Sequence, residues 1–139
     1  MIHQSRPCSG AILILLLLTG CDYYDSRLSI INESCSAICV ETYKDTIPED
    51  SNTNQLAFYL SHGISPGDTS RQTIPGKNAW IVEIETNKNR KLNLFVYQTD
   101  TVRKYRNMAL LNKKRLFQRI SLTQEQLERN NWLIKILNK

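Results

Sequence analysis

The sequence predicts a mainly β fold, a single antiparallel β-sandwich with two short helices near its C-terminus. Apolar residues recur in short alternating runs, and turn residues separate these runs, among them the pairs Pro66-Gly67 and Pro75-Gly76. Trp80 and Trp132 fall within such runs and supply large side chains for the space between two packed sheets. The predicted domain covers residues 28–139 and contains roughly eight short strands.

In the first half of the domain, the alternation predicts strands over residues 28–32, 38–43, 56–60, 69–74 and 79–85. In the third of these, Leu56, Phe58 and Leu60 would share one face. The fourth lies between two Pro-Gly turns and is predicted to be an edge strand. Residues 45–55 are polar and predict a loop that contributes nothing to the core.

The fifth and sixth predicted strands, 79–85 and 92–97, have the clearest patterns. In 79–85 the even positions from Trp80 to Ile84 are apolar and would point into the core. Residues 92–97 are apolar on both faces apart from Asn93, which is typical of a central strand that is covered on both sides.

Two helices are predicted in the C-terminal third. Asp100 is placed to cap a short helix over 101–108. Thr123 precedes Gln126 by three residues, the spacing of a capping box, and so begins the second helix. The remaining predicted strands are 116–121 and 132–136. Two packed antiparallel sheets of an immunoglobulin-like or related type account best for this order of elements.

Residues 1–20 predict a signal peptide rather than part of the domain. A short segment whose one charge is Arg6 leads into the apolar run 11–18, which ends in Leu18-Thr19-Gly20-Cys21. The run is far shorter than the roughly 20 residues that a permanent membrane span needs. Its length suits the apolar centre of a cleaved export signal.

The tetrad that ends at Cys21 resembles the lipobox of bacterial lipoproteins. The resemblance implies cleavage between Gly20 and Cys21, with lipid on the Cys21 thiol and acyl chains such as palmitate. Two or more chains hold a protein stably in a membrane, at about 0.8 kcal/mol per buried methylene. We therefore expect an anchored protein of the cell envelope, with residues 21–27 as its tether. In enteric-type sorting, an aspartate at the place of Asp22 resembles an inner-membrane retention signal. In Bacteroidota-type lipoproteins, the acids Asp22 and Asp25 resemble instead a mark for the outer membrane or the cell surface.

The C-terminal half carries a second resemblance. Its order is an apolar strand from Leu92, a helix led by Asp100, a basic turn and a strand. These are followed by Leu122-Thr123-Gln124-Glu125-Gln126-Leu127-Glu128 and Asn131-Trp132. The order is similar to that of small Bacteroidota lipoproteins to which no activity is assigned. Such proteins often end in Asn-Trp-x-Ile-x-Tyr-Pro, whereas this chain has Ile134-Lys135-Ile136-Leu137. The resemblance implies an envelope location and favours the outer membrane over the inner membrane.

Charge is distributed unevenly along the chain. Residues 21–87 hold 4 Lys/Arg and 10 Asp/Glu, a net charge of −6, whereas residues 88–139 hold 13 and 3, a net charge of +10. The basic half predicts a surface for an anionic partner, such as a glycan, lipid or envelope protein; a solvated face that offsets the acidic half is the alternative. Nucleic acid is not predicted, because an exported protein rarely meets it. The residues of this basic surface are Arg103, Lys104, Arg106, Lys113, Lys114, Arg115 and Arg119.

Cys35 and Cys39 are the cysteines of the predicted domain. An exported location permits a disulfide between them, and two small, partly buried thiols are an equal alternative. Their spacing is not that of a CxxC pair and no second pair follows, so no metal site is predicted. Nothing in the sequence indicates a cofactor.

The sequence predicts no catalysis. Ser61 or Ser65, His62 and Asp68 supply the residue types of a nucleophilic triad. However, neighbours along an extended chain point to opposite faces, and no nucleophile-elbow motif is present. A binding or structural accessory domain is therefore predicted, with an envelope enzyme inhibitor or a fimbria-like subunit as the alternative and a hydrolase as the least favoured.

A pair of carboxylates was the other catalytic candidate. Glu83 and Glu85 would lie two residues apart on one face of a strand. Paired carboxylates support acid–base chemistry, but on an alternating strand they are expected to be the solvent-facing side.

Overall fold

The computed structural model describes residues 23–48 and 56–138. The predicted signal peptide, its cleavage site at Gly20 and the lipidation site Cys21 lie outside the described residues, as do residues 49–55 of the predicted polar loop. In chain order the elements are β1 (Tyr24–Asn32), β2 (Ile38–Tyr43), α1 (Leu56–Ser61), β3 (Thr69–Pro75), α2 (Ala79–Thr86), β4 (Leu92–Gln98), α3 (Thr99–Tyr105), α4 (Met108–Lys113), β5 (Gln118–Leu122), α5 (Gln124–Arg129) and β6 (Leu133–Ile136).

The strands of the described residues form two three-stranded sheets. The first sheet has the order β3-β1-β6, in which β1 is antiparallel to β3 and parallel to β6. The second sheet has the order β2-β4-β5 and is antiparallel throughout. The predicted edge strand, β3, is confirmed as an edge of the first sheet.

Side chains of both sheets share a first core, to which α2 and α5 also contribute. Trp80 and Trp132 are buried in it, as the sequence predicted. Its buried members are Leu28, Ile30, Ile38, Ile64, Trp80, Ile84, Leu92, Leu94, Val96, Leu127, Trp132, Ile134 and Ile136.

A second core lies on the other face of the second sheet, beneath α1, α3 and α4. Its buried members are Cys39, Tyr43, Tyr59, Phe95, Tyr97, Val102, Met108 and Leu111. β4 supplies both cores, because alternate side chains of a strand point to opposite faces. This explains why residues 92–97 are apolar on both faces apart from Asn93, and it confirms the predicted central strand.

The mainly β prediction with packed sheets is confirmed only in part. Five helices lie along the described residues rather than two near the C-terminus. The β1–β6 pair is parallel, whereas a single antiparallel sandwich was predicted. α5 carries the chain from β5 in the second sheet to β6 in the first. The parallel strands β1 and β6 are therefore joined through all the intervening elements and not by a hairpin, which would make them antiparallel.

The predicted strand 56–60 is wrong, because this segment forms α1. Tyr59 is buried, with Leu56 and Leu60 packed beside it, whereas Phe58 is 57% exposed. Spacings of three and four residues define the apolar face of a helix. So short an apolar run fits the periodicity of a strand as well as that of a helix. Packing against the second core favours the helix.

The predicted strand 79–85 is also wrong, because it forms α2. Trp80 and Ile84 are buried four residues apart, while Val82 is 52% exposed. The helix begins where a remote carboxylate satisfies one of its free N–H groups: the backbone N–H of Trp80 donates to Asp25 Oδ2, 3.1 Å away. The local pattern contains no sign of this contact.

The C-terminal helices agree better with the sequence. The capping box of α5 is confirmed: Thr123 Oγ1 accepts from the N–H of Gln126, and Gln126 Oε1 accepts from the N–H of Thr123. The predicted helix over 101–108 is instead split into α3 and α4 at Arg106, where the backbone is left-handed with φ 49°.

Candidate binding cleft and basic surface

We name two ends of the domain after the two ends of β1, the tether end near Tyr24 and the far end near Asn32. At the tether end, Tyr24 pairs with Pro75, and the N–H of Gly76 donates to the carbonyl of Tyr23. At the far end, Asn32 pairs with Ile136. The nine residues of β1 separate these ends by about 26 Å at the rise of an extended strand. Residues 24–27, predicted as tether, therefore belong to the strand.

A cleft of about 640 Å³ opens at the far end. It lies where β2 begins, β4 ends, β5 begins and β6 ends. Ile38, Val96 and Ile136 form its floor; they are members of the first core and only 2–5% exposed. The other lining residues are Ser34, Cys35, Gln98, Thr101, Arg115, Leu116, Phe117, Gln118, Leu137 and Asn138.

The buried side chain of Asn32 holds one wall of the cleft in place. Its Nδ2 donates to the carbonyls of Ser36 and Ile64, at 2.9 and 2.8 Å. Its Oδ1 accepts from the backbone N–H of Ser34 at 3.0 Å. The N–H of Cys35 in turn donates to Asn138 Oδ1 at 2.8 Å, so the loop before β2 is joined to the chain after β6.

Among the described residues that line this cleft, Arg115 is the only Lys, Arg, Asp or Glu. It follows α4 with a left-handed backbone, φ 54°. Its backbone N–H donates to the carbonyl of Asn112, and the next residue, Leu116, donates to the carbonyl of Leu111. The turn that presents Arg115 is thus fixed by backbone hydrogen bonds.

The predicted basic surface is exposed at all seven positions, but it is distributed over several elements. Lys104 and Lys114, from α3 and the turn after α4, both approach the ring of Tyr105, with Nζ 5.7 and 5.2 Å from its centroid. Cations at such distances are attracted to the ring. Tyr105 therefore brings two parts of the basic surface together.

Other members of the basic surface are engaged elsewhere. Arg103 forms an exposed ion pair with Asp100, with 3.1 Å between Nη1 and Oδ1. Arg119, on β5, donates to the carbonyl of Thr46 at 2.8 Å. Arg115 stands apart from both, because it faces the cleft.

Cys35 and Cys39 are free thiols in the structure. Cys35 is exposed at the cleft, whereas Cys39 is buried in the second core. The Sγ of Cys39 lies 3.0 Å from the carbonyl of Tyr59 and 3.3 Å from Thr99 Oγ1. Burial raises the pKa of the Cys39 thiol above its ordinary value, and this outweighs the lowering by Thr99 and Arg103. One thiol is thus exposed and the other is buried.

Ser61 and His62 are closer than the sequence suggested, because they end a helix instead of a strand. Ser61 Oγ lies 2.9 Å from His62 Nδ1, and both atoms also lie within 3.0 Å of the carbonyl of Phe58. That carbonyl competes for the protons of the pair. The pair is exposed, and His62 stacks on Phe58. Among the described residues, neither Ser61 nor His62 is hydrogen-bonded to Asp68.

The remaining catalytic candidates do not assemble either. Glu83 and Glu85 lie on α2, where residues two apart do not share a face. Within residues 23–48 and 56–138, no three His, Cys, Asp or Glu side chains are grouped to hold a metal ion. No helix in the same ranges has the length and hydropathy to cross a membrane.

The cleft itself was not predictable from sequence. Arg115 was identified through its charge, but Gln98, Thr101, Gln118 and Ile136 were not identified. Four strand ends form the cleft, and their proximity follows from the sheet order rather than from any local pattern. Comparisons with protein-family models, with characterised proteins and with solved structures give no match for this chain.

Proposed function

We propose that this chain is a lipoprotein of the bacterial cell envelope, anchored by lipid on Cys21, whose domain binds a partner or ligand without catalysis. The proposed anchor rests on the tetrad Leu18-Thr19-Gly20-Cys21 after the apolar run 11–18, and the proposed orientation of the domain rests on one structural observation. The tether end and the cleft lie at opposite ends of β1, so an anchor at Cys21 would direct the cleft away from the membrane.

The length of the tether supports a close approach to the bilayer. Gly76 already binds the carbonyl of Tyr23, so two peptide units, at most about 7 Å, join Cys21 to the fold. Tyr23 and Tyr24 are 63% and 60% exposed. Tyrosines are enriched at membrane interfaces because their rings are apolar and their hydroxyls are polar. Both side chains would therefore suit the headgroup layer.

The surroundings of the candidate catalytic groups support a binding role. A nucleophilic serine needs a base that is oriented by a third group. His62 Nδ1 is instead shared between Ser61 and a backbone carbonyl. The pair also lies outside the cleft. The cleft offers shape, an apolar floor and one cation, which are features of recognition.

The resemblance to Bacteroidota lipoproteins supports the outer membrane as the location. Asp25 has a structural role in this chain, since its buried carboxylate binds Trp80 and Arg27. We therefore assign the sorting contribution to Asp22 alone.

Labelling with a radioactive or alkyne-bearing fatty acid tests the anchor. In a Bacteroidota host, the wild-type chain should take up label, lose residues 1–20 and fractionate with the outer membrane. Cys21→Ser should take up no label and leave the membrane fraction. Cys35→Ser is the matched control, because Cys35 is an exposed thiol outside the lipobox, and it should behave as wild type. A labelled Cys21→Ser protein, or intact chain with Met1 in the cytosol, would overturn the proposal.

A further inference from the structure

We propose that the far-end cleft is a binding site for a small amphipathic monocarboxylate, whose carboxylate binds Arg115 and whose apolar part lies on Leu116, Phe117 and Leu137. This inference deepens the proposed binding function by naming the class of ligand.

The dimensions and floor of the cleft suit a small molecule. Its volume of about 640 Å³ lies within the roughly 300–1,000 Å³ of typical ligand sites. The floor residues belong to both sheets and are fixed by the first core. The accessible apolar surface around this floor comes from Leu116, Phe117 and Leu137. Covering apolar surface contributes about 25 cal/mol per Å², which favours a ligand with a hydrocarbon part.

The charge of the cleft selects the polar end of the ligand. Arg115 is exposed, and its guanidinium makes no hydrogen bond or ion pair with another described residue. No Asp or Glu is among the described residues that line the cleft. A guanidinium matches a carboxylate through two parallel hydrogen bonds. One unpaired guanidinium at an apolar floor therefore favours a monoanion.

Three neutral side chains surround the same floor with hydrogen-bonding groups. The side chains of Gln98, Thr101 and Gln118 make no hydrogen bond to another described residue. They are free to bind the carboxylate or a second polar group of the ligand. A few such groups around an apolar surface fix the orientation of a bound molecule.

Cys35 offers a direct readout, because its exposed thiol lines the cleft. The mature protein is placed in phosphatidylcholine nanodiscs and treated with iodoacetamide, and modification of Cys35 is followed by peptide mass spectrometry. Hexanoate is the probe. Hexanamide, which has the same hydrocarbon chain without the charge, is the matched control ligand. We expect hexanoate to slow Cys35 modification in a saturable manner.

The variants separate the Arg115 contact from a general effect of charge. Arg115→Gln should raise the half-protecting concentration of hexanoate by about tenfold or more, since hydrogen bonds to charged groups contribute on that scale. Arg106→Gln is the matched control, because Arg106 is also an exposed arginine with a left-handed backbone but lies outside the cleft. It should leave protection unchanged. Thermal unfolding of both variants checks that each is folded.

Three results would overturn the inference: no protection by hexanoate, equal protection by hexanamide, or wild-type protection in folded Arg115→Gln. The anchor is tested separately, by acylation of Cys21. A cleft that fails to bind hexanoate leaves the acylation result standing, and an unacylated chain that still protects Cys35 overturns the anchor alone.

Discussion

Asp25 and Trp80 join the first strand to the second helix. Asp25 Oδ2 accepts from the backbone N–H of Trp80 at 3.1 Å, while Oδ1 accepts from Arg27 Nε at 2.8 Å. Arg27 then donates to Asn78 Oδ1 at 2.6 Å, directly before α2. The carboxylate is almost fully buried, so both of its oxygens depend on these partners.

Asp25→Ala should therefore destabilise the domain. The substitution leaves a buried N–H unsatisfied at the start of α2 and removes the partner of Arg27. We expect the free energy of unfolding to fall by about 1–3 kcal/mol, measured by urea denaturation. Asp68→Ala is the control, because Asp68 is exposed. Equal stability of Asp25→Ala and Asp68→Ala would show that the contact contributes little.

Asp25 also shows where sequence-based prediction reaches its limit. β2 was predicted with its observed bounds, and β4 was identified as central, because alternation and two-sided apolarity are local properties. Residues 56–60 and 79–85 were assigned as strands because their helical form depends on packing and on Asp25, 55 residues from its partner Trp80. The cleft is non-local in the same way, since its walls come from segments near the start, in the middle and near the end of the domain's sequence.

The half-buried Glu41 should make stability depend on pH. Burial raises its pKa above the ordinary value of 4.5, and the hydrogen bond from Tyr43 only partly opposes this. The folded chain then holds the proton to a higher pH than the unfolded chain. Stability should fall as pH rises from 4.5 through the raised pKa. Glu41→Gln keeps an acceptor for Tyr43 without the charge, so it should be more stable than wild type at pH 7, with a smaller difference at pH 4.

Glu125 supplies a control of opposite sign for that experiment. Hydrogen bonds from its own backbone N–H and from Thr123 lower the pKa of this exposed carboxyl. Its ionised form therefore stabilises the fold above pH 4.5, and this contribution is lost as pH falls through the lowered pKa. Glu125→Gln should reduce stability at pH 7 and have no effect at low pH. Parallel pH profiles for the two variants would show that at least one of the two assignments is wrong.

The capping box of α5 should contribute measurably to stability, because α5 is too short to be stable by itself. Thr123→Ala removes the acceptor for the N–H of Gln126 and should lower the free energy of unfolding by about 1 kcal/mol. Gln126→Ala removes the reciprocal bond. Chemical denaturation of the single and double variants should show coupling between the two losses. Additive losses would mean that the two bonds act independently.

The two thiols of the domain should differ strongly in reactivity. Only the thiolate attacks an alkylating reagent, and burial both raises the pKa of Cys39 and screens its sulfur. Cys35 is exposed, so in the folded protein without ligand it should be modified first. Cys39 should be modified only at the rate of local or global unfolding. Adding urea should therefore accelerate modification of Cys39 far more than that of Cys35.

Two outcomes would contradict this prediction. Equal rates without urea would place Cys39 at the surface. A Cys35–Cys39 disulfide in non-reducing peptide mass spectra would contradict the free thiols of the structure. In that case β2 would have to turn the Cys39 sulfur away from Tyr59 and Thr99, which the second core does not permit without repacking.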